Sequence, residues 1–325
     1  MLRMAPSHVD ILILGAGWTS TFLTPLLQQK NITYAATTTT GRDGTLLFRF
    51  DPESDDLAPY AALPRARTVL ITFPLLGRGQ SSHLVNMYGK AHGDGDDSSS
   101  TSSSAAPAPA AVNWIQLGSS GAFANDAHWV TAATPTDTNI ARVAAEEELL
   151  AAPLRGCVLN LCGLYGGARD PRGWVSRVAR SKEQVAGKKA LHVVHGDDVA
   201  RAIVAVHAAF TPGRRWLVTD LHVYDWWDLM FAWGPEAEAK ARERLGAEEA
   251  AGLDYRRWVR ELMDEQDVRA LPRDAEMLGR TTSDNVLLGL TSSAPSTKTN
   301  RMESAKPRHG ENQRRTGLLK AESSS

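Results

Sequence analysis

Between Ile11 and Leu23 the chain reads ILILGAGWTSTFL, four branched apolar residues followed by two glycines one residue apart. A glycine pair at a strand-to-helix join has a physical use. The first, Gly15, permits a tight turn. The second, Gly17, lets backbone approach a pyrophosphate, whose charge then rests on free amide hydrogens at the start of the helix. Ser20 stands where the pattern G-x-G-x-x-G has its third glycine, which spaces helix and strand slightly wider. Gly15, Gly17, Trp18, Thr19 and Ser20 are accordingly expected to line a diphosphate. A second signal lies where the next strand runs out as ATTTTGRDG. An acidic residue there would bond a ribose 2′-hydroxyl, whereas the hydroxyls of Thr38, Thr39 and Thr40 and the guanidinium fork of Arg42 suit a 2′-phosphate, with Thr39 and Arg42 expected at the ribose. NADP is favoured over NAD as the cofactor, with Asp43 beside Arg42 working against that choice.

Positioning these residues takes a sheet. Residues 10–14 read as a buried strand and 18–29 as a helix, with Phe22 over Leu26 and Leu23 over Leu27, although Pro25 must cost it a hydrogen bond. Residues 32–37, 68–73, 112–117 and 157–161 read as further strands. Two helices are expected to be capped by Asp137 and Asp197. Short apolar strands alternating with amphipathic helices, without hairpin turns, imply parallel strands joined by crossovers. The expected fold class is α/β, a doubly wound parallel sheet (Rossmann fold) over residues 8–220. Residues 221–290 read as a small, mostly helical C-terminal lobe. Trp216, Trp226, Trp227, Trp233 and Trp258 are expected to pack that lobe rather than to wall a ligand pocket. Residues 92–111, HGDGDDSSSTSSSAAPAPAA, and 291–325 have no apolar period and are expected to be a disordered insert and tail.

The totals narrow the function. A chain of 325 residues, 42% hydrophobic, suffices for one large domain or two small ones. A net charge of −1 gives no field that would gather nucleic acid. No apolar run reaches the ~18 residues of a membrane span. The first strand begins too early to leave room for a signal peptide. Cys157 and Cys162 are the only cysteines, and both fall in an apolar run, where two buried thiols are expected. A cytoplasmic protein that binds neither membrane nor nucleic acid fits these features. Without H-E-x-x-H or Cys-x2-Cys, no metal is expected.

Taken in order, GAGWTS, LGSSGAFAN (117–125), LNLCGLYGGARDP (159–171) and VHGDDVARAIV (194–204) resemble the extended and atypical short-chain dehydrogenase/reductases of the NAD(P)-dependent epimerase/dehydratase family. The resemblance covers residues 9–290 outside the insert. It implies a nicotinamide cofactor across the carboxyl edge of the sheet, a small-molecule substrate and, frequently, a homodimer. It also implies Ser119 as the residue that orients the substrate. The family's Tyr-x-x-x-Lys pair is missing. Aligned on AAEEELL, Thr138 and Arg142 take the two places, and a shift of one brings Asn139 and Val143. Threonine is not appreciably acidic and arginine is too basic to give up a proton. A positioned general acid or base contributes ~10² to 10⁴ in rate, so ordinary carbonyl reduction is expected to be impaired. Tyr165, four residues before Arg169, is a spare proton donor, although Gly166 and Gly167 between them argue for a loop. Asn160 replaces a common arginine of the family. His195 and Asp198 match its I-H-x-x-D-V element, where they stabilise a turn and cap a helix. Two functions stay open. One is an oxidoreductase or epimerase acting on a small polar metabolite with a nonstandard proton donor. The other is a catalytically inactive dinucleotide-binding sensor or interaction protein.

Overall fold

The computed structural model describes residues 7–93, 111–123, 129–279 and 281–282. The expected tail, and the expected insert apart from residues 92, 93 and 111, lie outside the described residues. Seven strands, β1 (His8–Leu14), β2 (Tyr34–Thr38), β3 (Leu46–Leu47), β4 (Arg65–Ile71), β5 (Asn113–Ser119), β6 (Cys157–Leu161) and β7 (Arg214–Val218), make one sheet. Their order is β7-β6-β5-β4-β1-β2-β3, and every neighbouring pair is parallel. β3 and β7 are additions to the strands read from sequence. The order reverses between β1 and β4, so the two crossovers leave β1 in opposite directions and open a crevice at the carboxyl ends of these strands.

Helices α1 (Ser20–Gln29), α2 (Gln80–Ala91), α3 (Ala141–Leu150) and α4 (Gly196–Ala208) cover both faces. Strand alternation divides the core between them. Ile11 and Ile13 join Leu23 and Leu27 of α1 and Val199 and Ile203 of α4. Leu12 and Leu14 join Leu84 and Met87 of α2 and Leu149 of α3. Each such aliphatic side chain taken out of water contributes about 1.5–3 kcal/mol. That burial keeps α1 continuous across Pro25.

Both expected caps differ from those observed. The residue before α3 is Ile140, which offers no side-chain cap, and Asp137 instead accepts from the amide of Asn139 at 3.0 Å. A short turn captures the aspartate before the helix begins. At α4 the cap is His195, whose Nδ1 accepts from the amide of Asp197 at 3.2 Å, so Asp197 belongs to the first turn.

The smaller lobe is built on α5 (Trp226–Leu245) and α6 (Tyr255–Glu265). Its core holds Trp226, Trp227, Trp233, Tyr255 and Val259, and it also draws in Tyr165, Val175, Val185 and Val193 from earlier in the chain. Trp258 packs against this core, whereas Trp216 lies in the sheet core on β7, because strand pairing with β6 turns it inward. Arg273 fastens the lobe: its Nη2 donates to Oδ1 of the buried Asp225 at 2.7 Å, and its guanidinium lies 3.9 Å from the centre of the Trp227 ring. No helix among the described residues is long and apolar enough to cross a membrane.

Candidate functional site

The loop after β1 is held from both sides. The amide of Gly15 donates to Oγ1 of Thr37 at 3.0 Å, that of Ala16 donates to the Thr37 carbonyl at 2.6 Å, and Thr72 Oγ1 donates to the Gly15 carbonyl at 2.5 Å. Gly15 has φ +96°, and a Cβ there would lie 2.6 Å from Thr72 Oγ1. Only glycine fits. Gly17 differs, since a Cβ on it would meet nothing within 4 Å. The amides of Trp18 and Thr19 have no hydrogen-bond partner among the described residues. Ser20, 7% exposed, buries a hydroxyl with no partner. A buried hydroxyl without a partner is rare in folded chains, and here it lies beside two open helix-start amides and an open cradle. This set fits a diphosphate.

Two cavities flank the loop. One, of about 740 Å³, is lined by Tyr34, Ala36, Thr38, Arg42 and Thr45 together with Gly17 and Ser20. Thr38, not the expected Thr39, faces it; Thr39 lies exposed beyond the end of β2. The amide of Arg42 donates to Thr38 Oγ1 at 3.2 Å, and Thr38 Oγ1 lies 2.8 Å from Thr45 Oγ1. These contacts tie the Arg42 backbone to the cavity wall and leave its guanidinium in solvent, 3.8 Å from the Asp43 carboxylate.

The other cavity, of about 440 Å³, runs from Gly17 and Trp18 past Thr72 to Ser119, Arg142 and Arg169. Ser119 ends β5, and its Oγ accepts from the amide of Gly121 at 3.2 Å. Its own hydroxyl hydrogen stays available to donate. Arg142, on the first turn of α3, donates through Nη2 to the Leu117 carbonyl at 2.6 Å, and its Nε lies 3.3 Å from Oε1 of Glu146. Glu146 is fully buried. It accepts from Arg215 Nη1 at 2.5 Å and from Asn160 Nδ2 at 3.1 Å, while Arg215 Nη2 donates to Glu147 at 2.9 Å. A buried carboxylate between two guanidiniums stiffens the cavity floor. Asn160 works here as a member of that floor, with Arg215 of the adjacent strand supplying the positive charge.

The two positions of the missing pair are separated. Arg142 reaches the cavity, but Thr138 sits exposed in the turn before α3. Tyr165, the spare donor, is 8% exposed, is absent from the cavity wall and packs its ring 5.0 Å from that of His195. Burial, with Asp220 and Asp198 nearby, pushes its phenol well above the ordinary value. Those surroundings oppose proton release. Asp198 is taken up by Arg201 at 2.5 Å. Burial likewise pushes the Cys157 thiol up to about 12, and Cys157 and Cys162 are both buried and not disulfide-bonded.

One feature of the site escapes a reading of the sequence. Trp18 Nε1 donates to the Gly166 carbonyl at 3.1 Å, and the guanidinium of Arg169 lies 4.4 Å from the Trp18 ring centre. The sequence pairs Arg169 with Tyr165 by spacing; the fold pairs it with a residue on the far side of the crevice.

No protein-family model matches the sequence, and no curated protein matches it. Solved structures do match. A protein from Methylobacillus flagellatus described as an NAD-dependent epimerase/dehydratase is 17% identical, with a TM-score of 0.51 over 86% of this chain and 91% of that one. SsCR is 10% identical, with a TM-score of 0.55 over 90% of this chain and 96% of that one. The dTDP-glucose 4,6-dehydratase of Bacillus anthracis, solved with NAD, is 12% identical, with a TM-score of 0.47 over 84% and 95%. At these identities the first two likenesses establish the Rossmann-like fold and nothing further.

Proposed function

We propose that this chain binds a nicotinamide dinucleotide, NADP(H) ahead of NAD(H), and acts as an oxidoreductase or epimerase on a small polar metabolite without a Tyr–Lys pair. The observation that carries the reading is the conjunction of two unpartnered amides, the orphaned Ser20 hydroxyl and the open side of Gly17 at one strand-to-helix turn. Trp18, Thr19 and Ser20 would hold the diphosphate, while Thr38 and Arg42, with Thr39 at the rim, would hold the adenosine end. A nicotinamide cofactor, when bound, supplies hydride chemistry. Ser119 donates its hydroxyl hydrogen to a polar atom of the substrate, and the buried Glu146 network keeps β5 and α3 in register beneath it. The buried thiols suit a reducing compartment, and we place the protein in the cytoplasm.

A second reading has its own support. Thr138 is turned away from the cavity and Tyr165 is buried behind it, so neither hydroxyl serves as proton donor. A chain that binds the dinucleotide without turning it over, as a sensor or interaction protein, fits that arrangement.

Titrating NADPH and NADH while following tryptophan fluorescence tests both readings, because Trp18 adjoins the loop. Saturable quenching is expected, tighter with NADPH; no change with either overturns both. Loss of reduced-cofactor absorbance with a panel of carbonyl compounds and nucleotide sugars then separates enzyme from sensor.

A further inference from the structure

We infer that the cavity between Ser119 and Trp18 accepts a small anion, a carboxylate or a phosphate monoester, as the substrate, and that Arg169 is the group that binds it. The inference rests on the dinucleotide reading for what lies beside the anion, but the charge argument is independent of it. Among the described residues the cavity wall contains two arginines and no aspartate or glutamate. The two arginines differ. Arg142 is compensated by the buried Glu146, whose Oε1 lies 3.3 Å from its Nε, and its direction is fixed by the bond from Nη2 to the Leu117 carbonyl. Arg169 has no ion pair among the described residues, whereas its neighbours do: Asp170 is bound by Lys240, and Arg172 lies 3.2 Å from Glu236. Among the described residues, one uncompensated cation thus faces a wall with no opposing charge.

Arg169 is also positioned in advance. Its amide and carbonyl bridge Gly166 at 3.1 and 3.0 Å, and its guanidinium rests on the Trp18 face, which the indole hydrogen bond to Gly166 pins in place. Stacking uses the face of the guanidinium and leaves its edge donors free to fork onto two anionic oxygens. The diphosphate has its own donors on the loop, so this arginine is surplus to that group. Ser119 and Arg142 on the opposite wall supply the second and third contacts, which would orient a small anion with its reacting carbon between the two walls. The binding step needs no co-reactant.

Calorimetric titration of oxalate and of inorganic phosphate into the full chain, with and without saturating NADPH, tests the inference, with oxamide as the neutral control. Oxalate or phosphate is expected to bind saturably and oxamide not to bind; which anion binds tells carboxylate from phosphate. Arg169→Gln should weaken the anion roughly tenfold or more, the scale of a lost charge-assisted hydrogen bond. Arg169→Lys should recover part of the loss, and Arg172→Gln should change nothing. Binding of neither anion, or binding unaltered in Arg169→Gln, overturns the proposal. So does an Arg169→Gln variant that loses NADPH affinity while keeping the anion, since Arg169 would then serve the cofactor. Arginine-dependent anion binding without any NADPH binding would keep this site and sink the dinucleotide reading.

Discussion

Two glycines of the same loop make opposite demands. At Gly15 a left-handed φ and a close Thr72 hydroxyl both exclude a side chain. Gly15→Ala is expected to lower stability by about 1–3 kcal/mol, the scale of one strained residue, seen as a lower urea midpoint. Gly17 has neither constraint, and its missing Cβ leaves room for a ligand. Gly17→Ala should fold within about 0.5 kcal/mol of the parent yet lose NADPH affinity roughly tenfold or more, as an amide contact is pushed apart. Equal affinity in that variant would show that the cradle is not where the diphosphate lies. Tyr165 belongs to the same scale. Its buried ring and raised pKa make it part of the lobe core, so Tyr165→Phe should keep any turnover the parent shows, and loss of turnover at unchanged cofactor affinity would restore it as a proton donor. The glycines were legible in the sequence because turn geometry is local. Tyr165 was not, because it is buried among residues later in the chain, with the His195 ring beside it and Trp226 and Trp227 of α5 in the same core.

Among the elements, α4 carries a pH dependence. His207 near its end is 5% exposed and pairs its Nδ1 with Oγ1 of Thr68 on β4 at 2.8 Å. Burial, aided by Arg67 and opposed by Asp10, holds its pKa below the ordinary 6.5. Well above 6.5 the ring is neutral in folded and unfolded chains and adds no slope. As the pH falls below 6.5 the unfolded chain takes up a proton that the folded chain refuses, so stability declines until the folded pKa is passed. Between pH 8 and 5 the urea midpoint of the parent should fall more steeply than that of His207→Gln. Parallel curves would assign the decline to other groups. Helix existence was readable from apolar spacing, as in Val199, Ile203 and Val206 of α4. The caps were not, because Asp137 and Asp197 satisfy cap rules by type, while the observed turn geometry places Ile140 and His195 at the boundary.

For the molecule as a whole, the cavity exists because the chain after β6 places Tyr165, Val175, Val185 and Val193 in the core of the helical lobe and brings Arg169 to Trp18. The lobe in turn depends on Arg273 and Asp225, which are 6% and 1% exposed. Removing one partner of such a pair strands the other charge, at a cost of about 3–5 kcal/mol. Arg273→Ala should therefore lower the urea midpoint and raise hydrogen exchange in α5 and α6 more than in β1 and β4. Uniform loss of protection would show that lobe and sheet unfold as one unit.

The sequence by itself determined the parallel α/β plan, the turn that bears Gly15 and Gly17 and the absence of a Tyr-x-x-x-Lys pair, since each depends on residues adjacent along the chain or at short fixed spacing. Tertiary structure alone decided that Thr38 rather than Thr39 faces the cavity, that Tyr165 is shut away, that Glu146 is bound by Arg215, and that Arg169 lies on Trp18. These are contacts between segments far apart in sequence. Their geometry depends on how strands order in the sheet and on which side each helix packs, and no local pattern of residues encodes that.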